Sequence, residues 1–359
     1  MEKILIVRLG ALGDILHALP AVTAIRTAMP QATIGWVVEA RWSELLTAPG
    51  HRVATDAVGP QKPVVNLLHT VDTMRWRKNV LSPSTLREMR GDLARIRKGG
   101  YDLALDFQGN IKSAFLARVS SASTVAGYAD PRESAARFFY NKKFSRSGEH
   151  VIEQNHAMAR AALNGFGFIS PEKFKLVPPM LPCDPVSDAW AQSEIARLGV
   201  AGFVIMNPGA GWGGKQWPSE RFGEVARALA VHNLKTLINV GPGEEDLARQ
   251  LVEASGGHSF AVTCTISQLI ALMRHARLFI GGDTGPLHLA AALNVPVVGL
   301  FGPTDPLRTG PFGVRNVVLR HPESKTTFSH HRNPDEGLMQ ITAEEVIAAA
   351  RHLLGRTNG

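Results

Sequence analysis

Short apolar runs alternate with stretches of helical periodicity along almost the whole chain, and that alternation leaves few folds open. In the first half, "ILIV" (4–7), "TIGWVVE" (33–39), "YDLALDF" (101–107) and "STVAGY" (123–128) read as strands. Helical patterns near 14–28, 84–98, 110–119 and 151–165 lie between or after them. Such an order is the sign of parallel sheets joined by crossover helices. The pattern stops at "KLVPPMLPCDP" (175–185), where Pro178, Pro179, Pro182 and Pro185 rule out both a helix and a central strand. It then restarts with "FVIMNPGAG", "KTLINVGPG", "FAVTC", "RLFIGGD" and "VPVVGLFGP", and helices are expected near 218–231, 244–255, 267–276, 285–293 and 342–354. The expected architecture is α/β: two doubly wound parallel-sheet domains on either side of a proline-rich linker. Ligands in such folds bind in the cleft outside the carboxyl ends of the strands.

Composition narrows the class of partner. A length of 359 residues suits two domains, and 45% hydrophobic with 19% charged residues describes an ordinary globular chain. Lys plus Arg exceed Asp plus Glu by 39 to 31, a formal charge of +8. That excess favours nucleic acid, anionic lipid or phosphorylated small molecules, unless it is only a mildly basic surface. No zinc finger, RNP pattern or aromatic-basic interleaving points to nucleic acid, so none is expected. Cys183 and Cys264 stand far apart with no CxxC spacing, which implies a reducing compartment and no structural zinc. No apolar stretch approaches the roughly 18–20 residues that cross a bilayer. Arg8 and Asp14 interrupt the opening "MEKILIVRLGALGD", a poor signal peptide, and the expected location is the cytoplasm.

The strand-to-helix turns carry the chemistry. "GGDTGPLHLAAAL" (281–293) places Asp283, Thr284 and Gly285 at such a turn, with His288 on the first helical turn. Unpaired N–H groups and the positive end of a helix dipole make this a natural anion site, most often for phosphate. Asp283 could merely be an N-cap, but three strand ends converging with these residues is hard to explain by capping alone. In "GWGGKQWP", Lys215 follows a glycine-dense turn where an ammonium meets a phosphate as a point charge; a solvated lysine is the other reading. Glu244 in "NVGPGEED" either caps a helix or accepts ribose hydroxyls. A dinucleotide fingerprint in "ILIVRLGALGD" would need glycines at 8, 10 and 13, but Arg8 occupies the first, and no Walker A motif occurs.

Together, "ILIVRLGALGDILHALPAV", "GGKQWP", "GGDTGPLHLAAAL" and "GLFGPTDP" resemble glycosyltransferase family 9, the ADP-heptose:lipopolysaccharide heptosyltransferases, over nearly the whole chain. "RWRK" (75–78) and "PRESAARFFYNKK" (131–143) are similar to the heptosyltransferase I branch, which adds the first heptose to Kdo on lipid A. The resemblance implies a GT-B fold of two Rossmann-like domains. Residues 1–176 would bind the acceptor, 177–340 the nucleotide sugar, and 341–359 would form a helix packing back on the N-terminal domain. It also implies Asp14 as catalytic carboxylate, and inverting glycosyl transfer does need a base for the acceptor hydroxyl. An N-cap for the helix that follows is the alternative role for Asp14. Lys215, the N–H groups of Thr284 and Gly285, and His288 would hold the departing diphosphate of ADP-heptose.

No D-x-D motif occurs, so neither a metal nor another cofactor is expected. Relatives carry cysteines before the last helix, whereas "HPESKTTFSHHRNPDEGLMQIT" has none, and His330 and His331 read as loop residues. For a phosphorylated and carboxylated acceptor such as Kdo-lipid A, the candidates are Arg75, Arg77, Lys78, Lys112 and Arg132. The basic helix "PSTLREMRGDLARIRKGG" (83–100) would lie against the anionic inner-membrane surface, or present an ordinary solvated face. The rival readings are a family member acting on a later heptose or another glycan, and a non-catalytic nucleotide-sugar binding protein.

Overall fold

The computed structural model describes residues 2–50, 57–199, 202–327 and 333–355. His330 and His331 lie outside them. Two compact units divide the chain, Met1–Asp184 and Pro185–Gly359. The division falls at the end of the proline-rich stretch, eight residues beyond the expected 176, because Met180 N–H bonds to Thr23 Oγ1 and Cys183 N–H to the Pro60 carbonyl. These bonds tie the linker to the first unit.

The first unit holds a six-stranded sheet of β1 (Lys3–Val7), β2 (Thr33–Glu39), β3 (Leu67–Val71), β4 (Leu103–Asp106), β5 (Thr124–Tyr128) and β6 (Lys142–Phe144). Every neighbouring pair is parallel and the order is β3-β2-β1-β4-β5-β6. Ile6 sits opposite Trp36 on one side and Leu105 on the other, all buried. The second unit repeats the scheme with β7 (Phe203–Asn207), β8 (Lys235–Asn239), β9 (Ser259–Val262), β10 (Leu278–Gly282), β11 (Val297–Phe301) and β12 (Asn316–Arg320). Its order, β12-β11-β10-β7-β8-β9, is the same path read from the other edge. In each sheet the crossovers reverse direction beside the first strand. Two switch points result, one at the ends of β1 and β4 and one at the ends of β7 and β10.

Three strands that the sequence reading missed, β3, β6 and β12, all lie at sheet edges. Only one neighbour pairs with an edge strand, and "LLHTV", "KKF" and "NVVLR" mix polar with apolar residues as loops do. The helix Pro185–Leu198 was missed as well, since its first residue belongs to the proline run; proline is tolerated in a first helical turn.

The last helix, Ala343–Leu353, is built into the second unit: Val346, Ala350 and Leu353 join Phe222, Leu229 and Val298 in one buried cluster. Indole Nε1 of Trp217 donates to the Ile341 carbonyl at 3.0 Å. The apolar face of this helix is thereby part of the second unit's core. Among the described residues no helix is long and apolar enough to cross a membrane.

On β3, buried His69 shares a 2.6 Å hydrogen bond with the Tyr101 hydroxyl. Burial, and then the Arg95 guanidinium, lower its pKa to about 4. The unfolded chain therefore binds the extra proton first as pH falls. Stability is expected to be full above about pH 6.5 and to drop by up to about 1.4 kcal/mol per pH unit towards pH 4. Urea melts of wild type and His69→Gln across that range check this; parallel slopes would remove His69 as the source.

Candidate functional site

At the switch point of the second unit, β7 ends in Asn207 and β10 in Gly282, and the glycine-rich turn after β7 delivers Lys215. Its ammonium lies 2.6 Å from Asp283 Oδ2 and donates to the Asp283 carbonyl at 3.0 Å. His288 Nε2 meets the other carboxylate oxygen at 3.0 Å. Asp283 is 7% exposed. Burial alone would raise its pKa, but the hydrogen bond and charge of His288, then of Lys215, outweigh it and hold the carboxyl well below the usual range. Lys215 is thus neither a solvated lysine nor a free one. Two of its three donors are spent on Asp283, which leaves one for an incoming oxygen, with the Trp212 ring 5.6 Å away.

Asp283 is not the helix cap. Thr284 holds the N-cap position, and its hydroxyl turns back to the Gly282 carbonyl, leaving the first turn of Gly285–Ala292 without a side-chain cap. An uncapped helix start beside an oriented ammonium has the chemistry to receive an anion. Gly282 lets the two turns approach closely here, because a Cβ would stand 3.1 Å from the Lys215 carbonyl oxygen.

Glu244 occupies the N-cap of Glu245–Ala254, yet its side chain does not cap that helix. It accepts the Gly241 N–H at 2.8 Å and presses onto Gly209, where any Cβ would collide with the carboxylate. A carboxylate held there can accept hydroxyls. Asn207, Asn239 and Cys264 complete this edge and were missed. Asn239 Nδ2 donates to Asn207 Oδ1 at 2.6 Å, and Asn207 Nδ2 to the Gly209 carbonyl at 2.8 Å. Cys264 Sγ lies 3.7 Å from Asn239 Oδ1, and burial pushes its thiol up to about 12. The signal was available: each asparagine is the last residue of its strand and directly follows a run of apolar residues.

At the switch point of the first unit, the N-cap of helix Leu12–Ala28 is Ala11, not Asp14. Asp14 stands three residues in, accepting the Ala11 N–H at 2.9 Å through Oδ2 and pairing with Arg8 Nη2 at 2.7 Å through Oδ1. Arg8 also reaches the Phe107 carbonyl at 2.6 Å, so the residue that spoils a dinucleotide fingerprint ties the β1 turn to β4. The Asp14 side chain is 41% exposed, open to an acceptor.

Arg75 and Lys78 line a cavity of about 380 Å³ with Glu39, Arg41, Asp72 and Met74. Lys112 adjoins this group, donating to Thr73 Oγ1 at 2.5 Å and standing 3.8 Å from buried Glu39, to which Thr73 is also bonded. Arg77 is exposed on the same short helix, Thr73–Lys78, but does not line the cavity. Arg132 lies apart, on the turn after β5 against Gly109, whose φ of +73° and Cβ position 3.2 Å from the Arg132 nitrogen demand glycine. Three of the five cations gather; Arg77 and Arg132 do not. Asp106, fully buried, was not foreseen: burial raises its pKa against bonds from Tyr140, Gln108, Ser113 and Gly109, and it fixes the β4 turn.

The family model described as glycosyltransferase family 9 (heptosyltransferase) matches residues 92–338. The chain belongs to that family. Family 9 members are glycosyltransferases, and the chain is one. It is 30% identical over 323 residues to lipopolysaccharide heptosyltransferase 1 of Pseudomonas aeruginosa, covering 88% of this chain and 83% of the relative. Against lipopolysaccharide heptosyltransferase 1 of Escherichia coli K12 the identity is 28%, covering 89% and 94%. Among solved structures, E. coli heptosyltransferase WaaC with ADP superposes with a TM-score of 0.76 at 26% identity, covering 98% of this chain and 99% of that one. The fold is that of the GT-B heptosyltransferases.

Proposed function

We propose that this family 9 member transfers L-glycero-D-manno-heptose from ADP-heptose to a Kdo residue of the lipopolysaccharide inner core, with inversion. The observation that carries the donor assignment is the Lys215–Asp283–His288 group beside the uncapped start of Gly285–Ala292. The second unit then takes the nucleotide sugar and the first takes the acceptor. Asp14 removes the acceptor proton as the oxygen attacks the anomeric carbon. Lys215 and the helix start receive the charge that builds on the departing diphosphate, and Glu244 accepts ribose hydroxyls. Arg75, Lys78 and Lys112, with Arg77 and Arg132 further out, meet the carboxylate and phosphates of Kdo-lipid A. Such a reaction belongs at the cytoplasmic face of the inner membrane.

Mass spectrometry of products from ADP-heptose and Kdo-lipid A tests the reading. One added heptose, dependent on Kdo, is the expected product; addition only to an already heptosylated core would assign the chain to a later step. Because a lysine and a helix start already supply the positive charge, transfer is expected to survive exhaustive EDTA treatment. Activity lost to EDTA and restored by magnesium or manganese would place a metal at the leaving group instead.

A further inference from the structure

β7 and β8 run out into turns of the same pattern, Asn207-Pro208-Gly209 and Asn239-Val240-Gly241. The two strands are parallel neighbours with Met206 opposite Ile238, so the asparagines come level at the next position, at the carboxyl ends of both. Asn207 is only 4% exposed, and a buried amide has to find partners for both its donor and its acceptor side.

Those partners impose one direction on the hydrogen bonds. The Gly209 carbonyl can only accept, so Asn207 presents Nδ2 to it, at 2.8 Å. Asn207 Oδ1 is then left for Asn239 Nδ2, at 2.6 Å, and Asn239 Oδ1 for the Cys264 thiol, at 3.7 Å. Burial keeps that thiol protonated and able to donate. The relay ties together the ends of β9, β8 and β7 and terminates on the Gly209 carbonyl.

Gly209 and Gly241 are also the residues on which the Glu244 carboxylate rests. It accepts the Gly241 N–H at 2.8 Å; a Cβ on Gly241 would come within 2.9 Å of Oε2, and one on Gly209 would overlap the carboxylate. Because the Glu244 side chain does not cap the helix it precedes, the two glycine turns set where it points. Asn207 fixes one turn, and its bond to Asn239 joins it to the other.

We propose that the Asn207–Asn239 pair is a positioning device for Glu244, by which the nucleotide site selects a ribose diol. With the two turns held at one separation, the carboxylate stays where vicinal hydroxyls can donate to it. This rests on the reading of Glu244 as the ribose acceptor, and the asparagines act through that side chain.

The test compares ADP with 2′,3′-dideoxy-ADP by calorimetry on the full chain. Wild type should bind ADP about tenfold tighter or more, the worth of hydrogen bonds to a charged group. N207A and G209A should each lose about tenfold for ADP, yet bind the dideoxy nucleotide within about twofold of wild type. N239A leaves the Asn207–Gly209 bond in place and should lose less, while C264S keeps a donor and should match wild type. Melting temperatures check each fold, and N239A, at a half-buried side chain, carries the comparison if N207A does not fold. Asparagine variants that bind ADP as wild type does would overturn the proposal. So would equal losses for the two nucleotides, which would mean a general loosening of the turns. A wild type indifferent to the missing hydroxyls would overturn the ribose role of Glu244 itself, whereas a discriminating wild type with equally discriminating variants would overturn the pair alone.

Discussion

Asp14→Asn is expected to lower turnover about 10²–10⁴-fold, the usual share of acid–base catalysis, while ADP-heptose affinity stays near that of wild type. The structure sharpens what this substitution removes. The Asn carbonyl can still accept the Ala11 N–H, so the first turn of Leu12–Ala28 keeps its bond. The ion pair with Arg8 is lost, but the arginine remains anchored on the Phe107 carbonyl. That pair is partly exposed, so its loss should cost at most about 1 kcal/mol of stability. The measurements are melting temperature, donor affinity by calorimetry and single-turnover rate on one variant. A rate within about threefold of wild type, less than about 1 kcal/mol of barrier, would remove Asp14 from the chemistry.

Lys215→Ala should fail in two ways at once. Loss of a charge-assisted phosphate contact should weaken ADP-heptose binding by roughly 1.5–3 kcal/mol, about ten- to two-hundred-fold. The same change strips a buried carboxylate of its lysine partner, leaving His288 as its other side-chain partner, and breaking a buried pair from one side costs about 3–5 kcal/mol of stability. Pairing it with Asp283→Asn separates the effects. The double variant should recover much of the stability, since no buried charge is left unmatched, and none of the affinity. If donor affinity returned with stability, Lys215 would be a structural partner of Asp283 and not a ligand for the diphosphate.

How far the sequence foretold the site depends on what each residue is bonded to. Central strands and their turns were legible, because a strand buried on both faces must be apolar and the first polar residue after it marks the sheet edge; Asp283 was read in that way, Lys215 from the glycine-dense turn it follows, and Asp14 from the family resemblance. Three of the four edge strands were not, because β3, β6 and β12 carry mixed residues like those of loops. Long-range partners were also out of reach. No local pattern says that Lys215 will find Asp283 sixty-eight residues on, that Arg8 will brace Asp14 across to Phe107, or that Glu244 will lie over Gly209. The acceptor cations were chosen by charge alone, and charge cannot tell Lys78, which lines a cavity, from Arg77 one residue earlier, which does not.

The boundary between the two units has a consequence for how such chains can diversify. The polypeptide passes from one sheet to the other once, at Asp184–Pro185, and each six-stranded sheet draws all its strands from one side of that point. A single genetic crossover there would exchange an entire half with its core uncut, because Met180 and Cys183 travel with the strands and helices that hold them. A breakpoint even a few residues earlier would separate those anchors from Thr23 and Pro60. Inherited shuffling between relatives, or deliberate chimeras, should therefore tolerate a junction after residue 184 and lose stability when it is moved upstream into the prolines.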